Sequence, residues 1–219
     1  MKIQALVDSI EIKVREKINP FMGYFRRKKI QGHYPFTIIS NNCWGGHVYR
    51  YFNLPYDSPT IGLYFFSDDY IKFLSNLRKY ISTPLVIVSL DESKYRNQLK
   101  QIGGKNVTCP IGRLDDIEII FLHYATPEEA LEKWNRRCKR IHWNNLYIKM
   151  SEQNICSIHN LRDFDSLPFK NKVVLTTRDY GLASQVISRR YYMCNSILDD
   201  TTHFRSFINL EKWISDSNI

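Results

Sequence analysis

The sequence predicts an α/β protein, a three-layer domain with a mainly parallel sheet, carrying an N-terminal amphipathic helix. Three observations lead there. Short β-branched and aromatic runs at 36–39, 60–66, 85–88, 117–122, 146–150 and 173–177 alternate with segments whose apolar residues recur at helical spacing. The first run ends in Ser40-Asn41-Asn42, side chains that make turns and accept hydrogen bonds from the free N–H groups of a helix start. Later, Thr126-Pro127-Glu128-Glu129 joins a cap residue, a proline at the first helical position and acidic first-turn residues.

Taken in order, residues 1–19 place Ile3, Leu6, Val7, Ile10, Val14 and Ile18 on one helical stripe, which Pro20 is expected to end. Phe21, Met22, Tyr24 and Phe25 then run into Arg26-Arg27-Lys28-Lys29. Such a segment suits an anionic membrane surface, and residues 1–29 are assigned that peripheral contact as one reading. The other is a helix packed on the domain with a solvated basic turn, favoured because Asp8, Glu11 and Glu16 dilute the positive face. The division expected is 1–32 for this segment and 33–219 for a single α/β domain.

After the first strand and its polar elbow, Leu54 to Pro59 is a proline-fixed loop, and 60–66 reads as a second strand. Ser67-Asp68-Asp69 caps a helix to about residue 82, with Ile71, Leu74, Leu77 and Ile81 on one side. Residues 85–88 form a third, fully apolar strand, and 92–107 a loop or short helix. The strand at 117–122 delivers His123-Tyr124 at its carboxyl end, and the helix from Pro127 turns Ala130, Leu131, Trp134 and Cys138 inward. Two further strands and a last short helix over 207–214 complete the chain.

In 219 residues, 43% hydrophobic and 14% aromatic content excludes a largely disordered chain. Five cysteines without a Cys-x-x-Cys pair suggest neither a zinc site nor a disulfide framework, hence a reducing compartment. No long apolar run and no signal-peptide core is present, so a cytoplasmic location is expected, with membrane association left open. The net charge of +9 favours an anionic partner. No helix-turn-helix, RRM or finger pattern accompanies it, and no nucleic acid is expected.

The chemistry is expected at strand ends, where open α/β sheets bind ligands. Cys43 follows the first strand at a helix N-terminus, a position that lowers a thiol pKa, and His47 lies four residues on, on the same helical face. If the strands before Cys43 and His123 are parallel neighbours, the thiol and that imidazole share one crevice, with Glu129 as orienter. His47 competes with His123 as the base. Asp68-Asp69, Asp115-Asp116 and Asp199-Asp200 are the acidic pairs a metal-dependent sugar transferase would need, though the first also reads as a helix cap. No metal ligand set is assigned.

Four ordered motifs, SNNCWGG at 40–46, SPTIGLYF at 58–65, FLHY at 121–124 with EEALEKWNRRCKRI, and LPFKNKVV at 167–174, resemble a bacterial family, domain of unknown function 1919. Its members carry the label exopolysaccharide biosynthesis protein. The resemblance covers about residues 33–210 and leaves the N-terminal segment outside. It implies an α/β protein acting on a sugar or lipid-linked glycan in exopolysaccharide, capsule or lipopolysaccharide biosynthesis, with a site drawn from Asn41, Asn42, Cys43, Trp44, Gly45, Gly46, His123, Tyr124, Glu129, Trp134 and Arg137. The resulting expectation is a transferase, with an acyltransferase favoured: Cys43 nucleophile, His123 base, Glu129 orienter, and acyl-CoA as donor. Gly45 and Gly46 amides would hold an oxyanion or phosphate, and Trp44 and Trp134 would offer ring faces to a sugar or adenine. The alternatives are a glycosyltransferase or phosphosugar transferase, and a non-catalytic glycan- or lipid-carrier-binding protein.

Overall fold

The computed structural model describes residues 20–103 and 108–216. In chain order its elements begin with a helix over 20–29 (α1), β1 (Thr37–Ser40), α2 (Trp44–Phe52), α3 (Ser67–Ser75), α4 (Leu77–Ser82) and β2 (Val86–Val88). There follow α5 (Arg96–Gly103), β3 (Ile111–Leu114), β4 (Ile117–Ile120), α6 (Pro127–Cys138), β5 (Leu146–Ser151), α7 (Ile158–Ser166), β6 (Asn171–Thr176), β7 (Gln185–Ile187) and α8 (Leu210–Ser215). The larger sheet has four strands in the order β1-β5-β6-β7, every pair parallel. A separate antiparallel meander joins β2, β3 and β4.

Strand side chains alternate between faces, so one parallel sheet serves two cores. Ile39, Ile148, Met150 and Val174 pack with residues of α3, α4, α6, α7 and the small sheet. Their neighbours Ile38, Tyr147 and Val173 pack on the other face with α2 and α8. The three-layer, mainly parallel architecture thus follows from strands that are apolar on both sides.

Several elements differ from expectation. The stripe over residues 1–19 lies outside the described residues. The expected helix end at Pro20 borders those residues; Pro20 itself is helical, and the aromatic and basic stretch that follows is α1. Proline's fixed φ is compatible with helix, and only its missing N–H and its ring restrict where it fits. Residues 60–66 make a single antiparallel bridge, Tyr64 to Ile120, rather than a strand. Gly62, at φ +73, turns this segment, and Phe65 N–H donates to Asn41 O, so it staples the two sheets together. The helix expected over 67–82 breaks at Asn76, and its N-cap is Phe66 with no side-chain cap bond. Strand β2 is half-exposed and belongs to the small sheet. Most consequential, β4 pairs with β3 and not with β1, so the strands before Cys43 and His123 are not parallel neighbours.

Tyr70 on α3 ties the helical layer to the sheet. Its fully buried hydroxyl lies 3.0 Å from Ile39 O and 2.9 Å from Lys149 O, bridging β1 and β5. Tyr70→Phe removes that donor while keeping the ring, and is expected to cost about 1–3 kcal/mol in urea unfolding. A loss below a few tenths of a kcal/mol would show that the bridge contributes nothing.

Candidate functional site

The carboxyl edge of β1 and β5 is polar, buried and internally bonded. Asn41, the residue after β1, extends the strand pairing with its side chain: its Nδ2 donates to Ser151 O and its Oδ1 accepts from Ser151 N, each at 3.1 Å. Asn42 works in three directions. Its Nδ2 donates to Asp200 at 2.7 Å and 3.0 Å, while its Oδ1 accepts from Trp44 N at 3.1 Å and from Lys149 Nζ at 3.2 Å. Lys149, in the middle of β5, is fully buried, and its ammonium also bonds Asp200 and stands 5.5 Å from the Trp44 ring centre. Ser151 Oγ donates to the same carboxylate. Burial draws the Lys149 pKa down, and the Asp200 charge opposes that fall.

Cys43 and His47 stand beside this network. Cys43 is the N-cap of α2 with helical φ and ψ, so His47 follows it on one face. The thiol makes a long contact, 3.7 Å, to Leu63 O. Burial and the nearby Asp200 carboxylate push it up to about 11, with Lys149 opposing. Burial and then Arg50 push His47 down to about 4, with Asp200 and Asp199 opposing. Its ring packs 5.6 Å from Phe204. The helix start does not create a thiolate here, because its first amides are already taken. Trp44 N donates to Asn42, Gly45 N to Ser40 Oγ and Gly46 N to Cys43 O.

That occupancy also corrects the oxyanion or phosphate role expected of Gly45 and Gly46. The glycines serve packing: a Cβ on Gly45 would meet Ile38 Cγ2 at 3.3 Å, so α2 lies close on β1. Trp44 and Trp134 are core residues, 0% and 1% exposed, packed against Trp213 and against Phe73 and Phe121 respectively. Neither can offer a ring face to a sugar. Glu129 is held by Ala125 N at 2.8 Å and by Lys133, and these bonds lower its pKa. It does not orient His123, which is exposed and bonded through its backbone to Gly62 O. Tyr124 and Arg137 are buried partners: both donate to Ile61 O, and Arg137 also donates to the Tyr124 hydroxyl.

The acidic pairs are engaged within the protein. Asp68 accepts from Asn160, Asp69 from Lys94 and Glu118 N, and Asp115 and Asp116 pair with Lys79 and Lys72. Asp199 accepts from Thr201 and Thr202 amides. Three residues of the site, Lys149, Ser151 and Asp200, were not singled out by sequence reasoning as a group. A lysine inside the apolar run 146–150 is the signal that could have found them. Further along the same edge, Thr176 Oγ1 at the end of β6, Arg178 Nε and Trp44 Nε1 are buried with no hydrogen-bond partner.

Together these features define an open-sheet α/β protein whose polar groups gather beyond the carboxyl ends of parallel strands. The chain belongs to the family described as Domain of unknown function (DUF1919), whose model matches residues 13–217. That match starts well before residue 33, so α1 lies inside the family region. The chain is also similar to a protein of Haemophilus influenzae described as "Uncharacterized protein", 32% identical over 171 residues that span 77% of this chain and 76% of that one.

Two outcomes follow from the site's electrostatics. Lys149→Met leaves a buried carboxylate without its cation and is expected to cost about 3–5 kcal/mol, most of it recovered in Lys149→Met with Asp200→Asn. Urea unfolding of the single and double variants measures this, and a double variant no more stable than the single would refute the pairing. For His47, the unfolded chain takes up a proton near pH 6.5 that the folded chain refuses until about pH 4. Its contribution is therefore complete above pH 6.5 and is lost as pH falls toward 4, by at most about 3 kcal/mol. His47→Gln should flatten that limb relative to wild type, and an unchanged slope between pH 6.5 and 4 would contradict the assignment.

Proposed function

We propose that this chain is a transferase of bacterial exopolysaccharide, capsule or lipopolysaccharide biosynthesis that moves an acyl group onto a sugar or lipid-linked glycan. The observation that supports it most is the placement of Cys43 and His47 on one turn of α2, beside the buried Asn42, Lys149 and Asp200. A fully desolvated ion pair is seldom the most stable filling for a core, and perturbed charges at a strand's carboxyl edge are characteristic of working sites. The partnerless Thr176 and Arg178 atoms add hydrogen-bonding capacity suited to a polyhydroxylated or phosphorylated substrate.

In this reading the Cys43 thiol attacks the carbonyl of a thioester such as acyl-CoA. A new C–S bond forms to Cys43 as the donor's C–S bond breaks, and His47 relays the thiol proton to the departing thiolate. A sugar hydroxyl then attacks acyl-Cys43, forming an ester and restoring the thiol. Asp200 does not orient the ring as was expected of Glu129, since its oxygens are bonded to Asn42, Lys149 and Ser151; its nearby charge favours the imidazolium of His47. At neutral pH both groups rest uncharged, so proton transfer falls within the acylation step. A second reading, a binding protein without chemistry, draws on the same upward shift of the thiol.

The test is alkylation and acylation of Cys43. At neutral pH iodoacetamide should modify it roughly two orders of magnitude more slowly than a free cysteine, with the rate still rising toward pH 11. Incubation with acetyl-CoA should add one acetyl group by intact mass, absent in Cys43→Ala and slowed in His47→Gln. Acetylation unaffected by Cys43→Ala would sink acyl transfer through this thiol. No acetylation, together with glycan binding that survives both substitutions, would favour the binding protein.

A further inference from the structure

We propose that the outward face of α1 docks on an anionic lipid bilayer. Phe21, Tyr24, Phe25 and Met22 are 69%, 51%, 47% and 37% exposed, an unusual display of large apolar side chains on one helix. The three aromatic rings form one cluster: Phe21 and Phe25 lie 5.1 Å apart, Tyr24 and Phe25 5.4 Å, and the Lys28 ammonium sits 4.8 Å from the Tyr24 ring centre. Positions 21, 24, 25 and 28 share a helical face.

The opposite face is fixed to the domain, so the aromatics are not a core surface turned the wrong way. Arg26 Nη1 donates to Tyr51 O at 2.8 Å, and Arg27 Nη1 to Phe52 O at 2.8 Å and Asn53 O at 3.0 Å, closing the carboxyl end of α2. Gly23 is buried where a Cβ would stand 2.6 Å from Asn53 Cβ, and Ile30 is buried.

Charge selects the occupant. Lys28 and Lys29 are exposed at the end of α1, and Arg205 is exposed on the Tyr51 ring beside Arg26. Among the described residues, Glu211 is an acid in this neighbourhood, and it is bonded to the Tyr51 hydroxyl and 4.0 Å from Lys29. Aromatic side chains at headgroup depth, flanked by cations that reach anionic headgroups, are what an interfacial helix requires. A second copy would bring the same cations face to face, in a chain of net charge +9.

Flotation of the full-length protein with phosphatidylcholine vesicles, alone and mixed with phosphatidylglycerol, tests this. Binding is expected on the mixed vesicles and should weaken at high salt. Phe21→Ser with Phe25→Ser should weaken it by roughly tenfold or more. Lys28→Gln and Lys29→Gln should each weaken it by about fivefold. The substituted side chains are exposed, so thermal unfolding should be unchanged. No enrichment on the mixed vesicles, or equal binding by the phenylalanine variant, would overturn the proposal. So would a concentration-dependent dimer in sedimentation that the phenylalanine variant abolishes.

Discussion

The buried pairing of Lys149 with Asp200 is the constraint on which the carboxyl edge depends. Both side chains are essentially without solvent, and stripping water from each charge costs several kcal/mol. The cost is offset only because Asn42 and Ser151 satisfy the remaining acceptor sites of the carboxylate. Asp200 lies in a largely irregular stretch that must be drawn over the strand ends to reach the lysine. Two backbone bonds hold that stretch in place, Met193 N to Thr177 O and Ile197 N to Glu152 O, each at 2.7 Å. Asn42 bonds the carboxylate with one end of its amide and caps α2 with the other, so the position of Cys43 is tied to the charge pair.

Two opposing effects act on that thiol, and their sizes decide the result. A helix N-terminus is worth about 0.3–1 kcal/mol to a nearby anion, less than the ~1.4 kcal/mol that moves a pKa by one. Burial beside Asp200 lifts Cys43 from 9.0 to about 11. The glycines that let α2 settle on β1 therefore also desolvate the sulfur and the imidazole of His47. Close packing and a preformed thiolate are incompatible at this position, and the sequence has chosen packing.

What the sequence discloses and what it hides divide along physical lines. Helix α6 was legible because Thr126, Pro127 and Glu129 are local signals, and Thr126 does accept from Glu129 N. Strands β1, β5 and β6 were legible because their apolar runs are dense. Sheet membership was not, since periodicity describes a strand and not its neighbour. For β4 a local clue existed: Asp115, at φ 58, turns β3 into β4, yet the same two aspartates also read as an acidic pair. The Asn42–Asp200 bond spans 158 positions, and no short-range pattern carries it. The tryptophans of the motifs are core residues, because in a single sequence a large aromatic looks the same whether it packs or binds.

The two proposals meet on α2. Its amino end carries Cys43 and His47 at the carboxyl edge of the sheet, and its carboxyl end is closed by Arg26 and Arg27 from α1. Nine helical residues separate these ends, about 13 Å along the axis. A bilayer bound at α1 would therefore lie beside the carboxyl end of α2, with the thiol at the far end of that helix and outside the hydrocarbon. A substrate met there would present a polar head, a sugar on its phosphate carrier, rather than an acyl tail. The packing of α1 on α2 would thus fix both the surface the protein works at and the part of a carrier-linked glycan within reach.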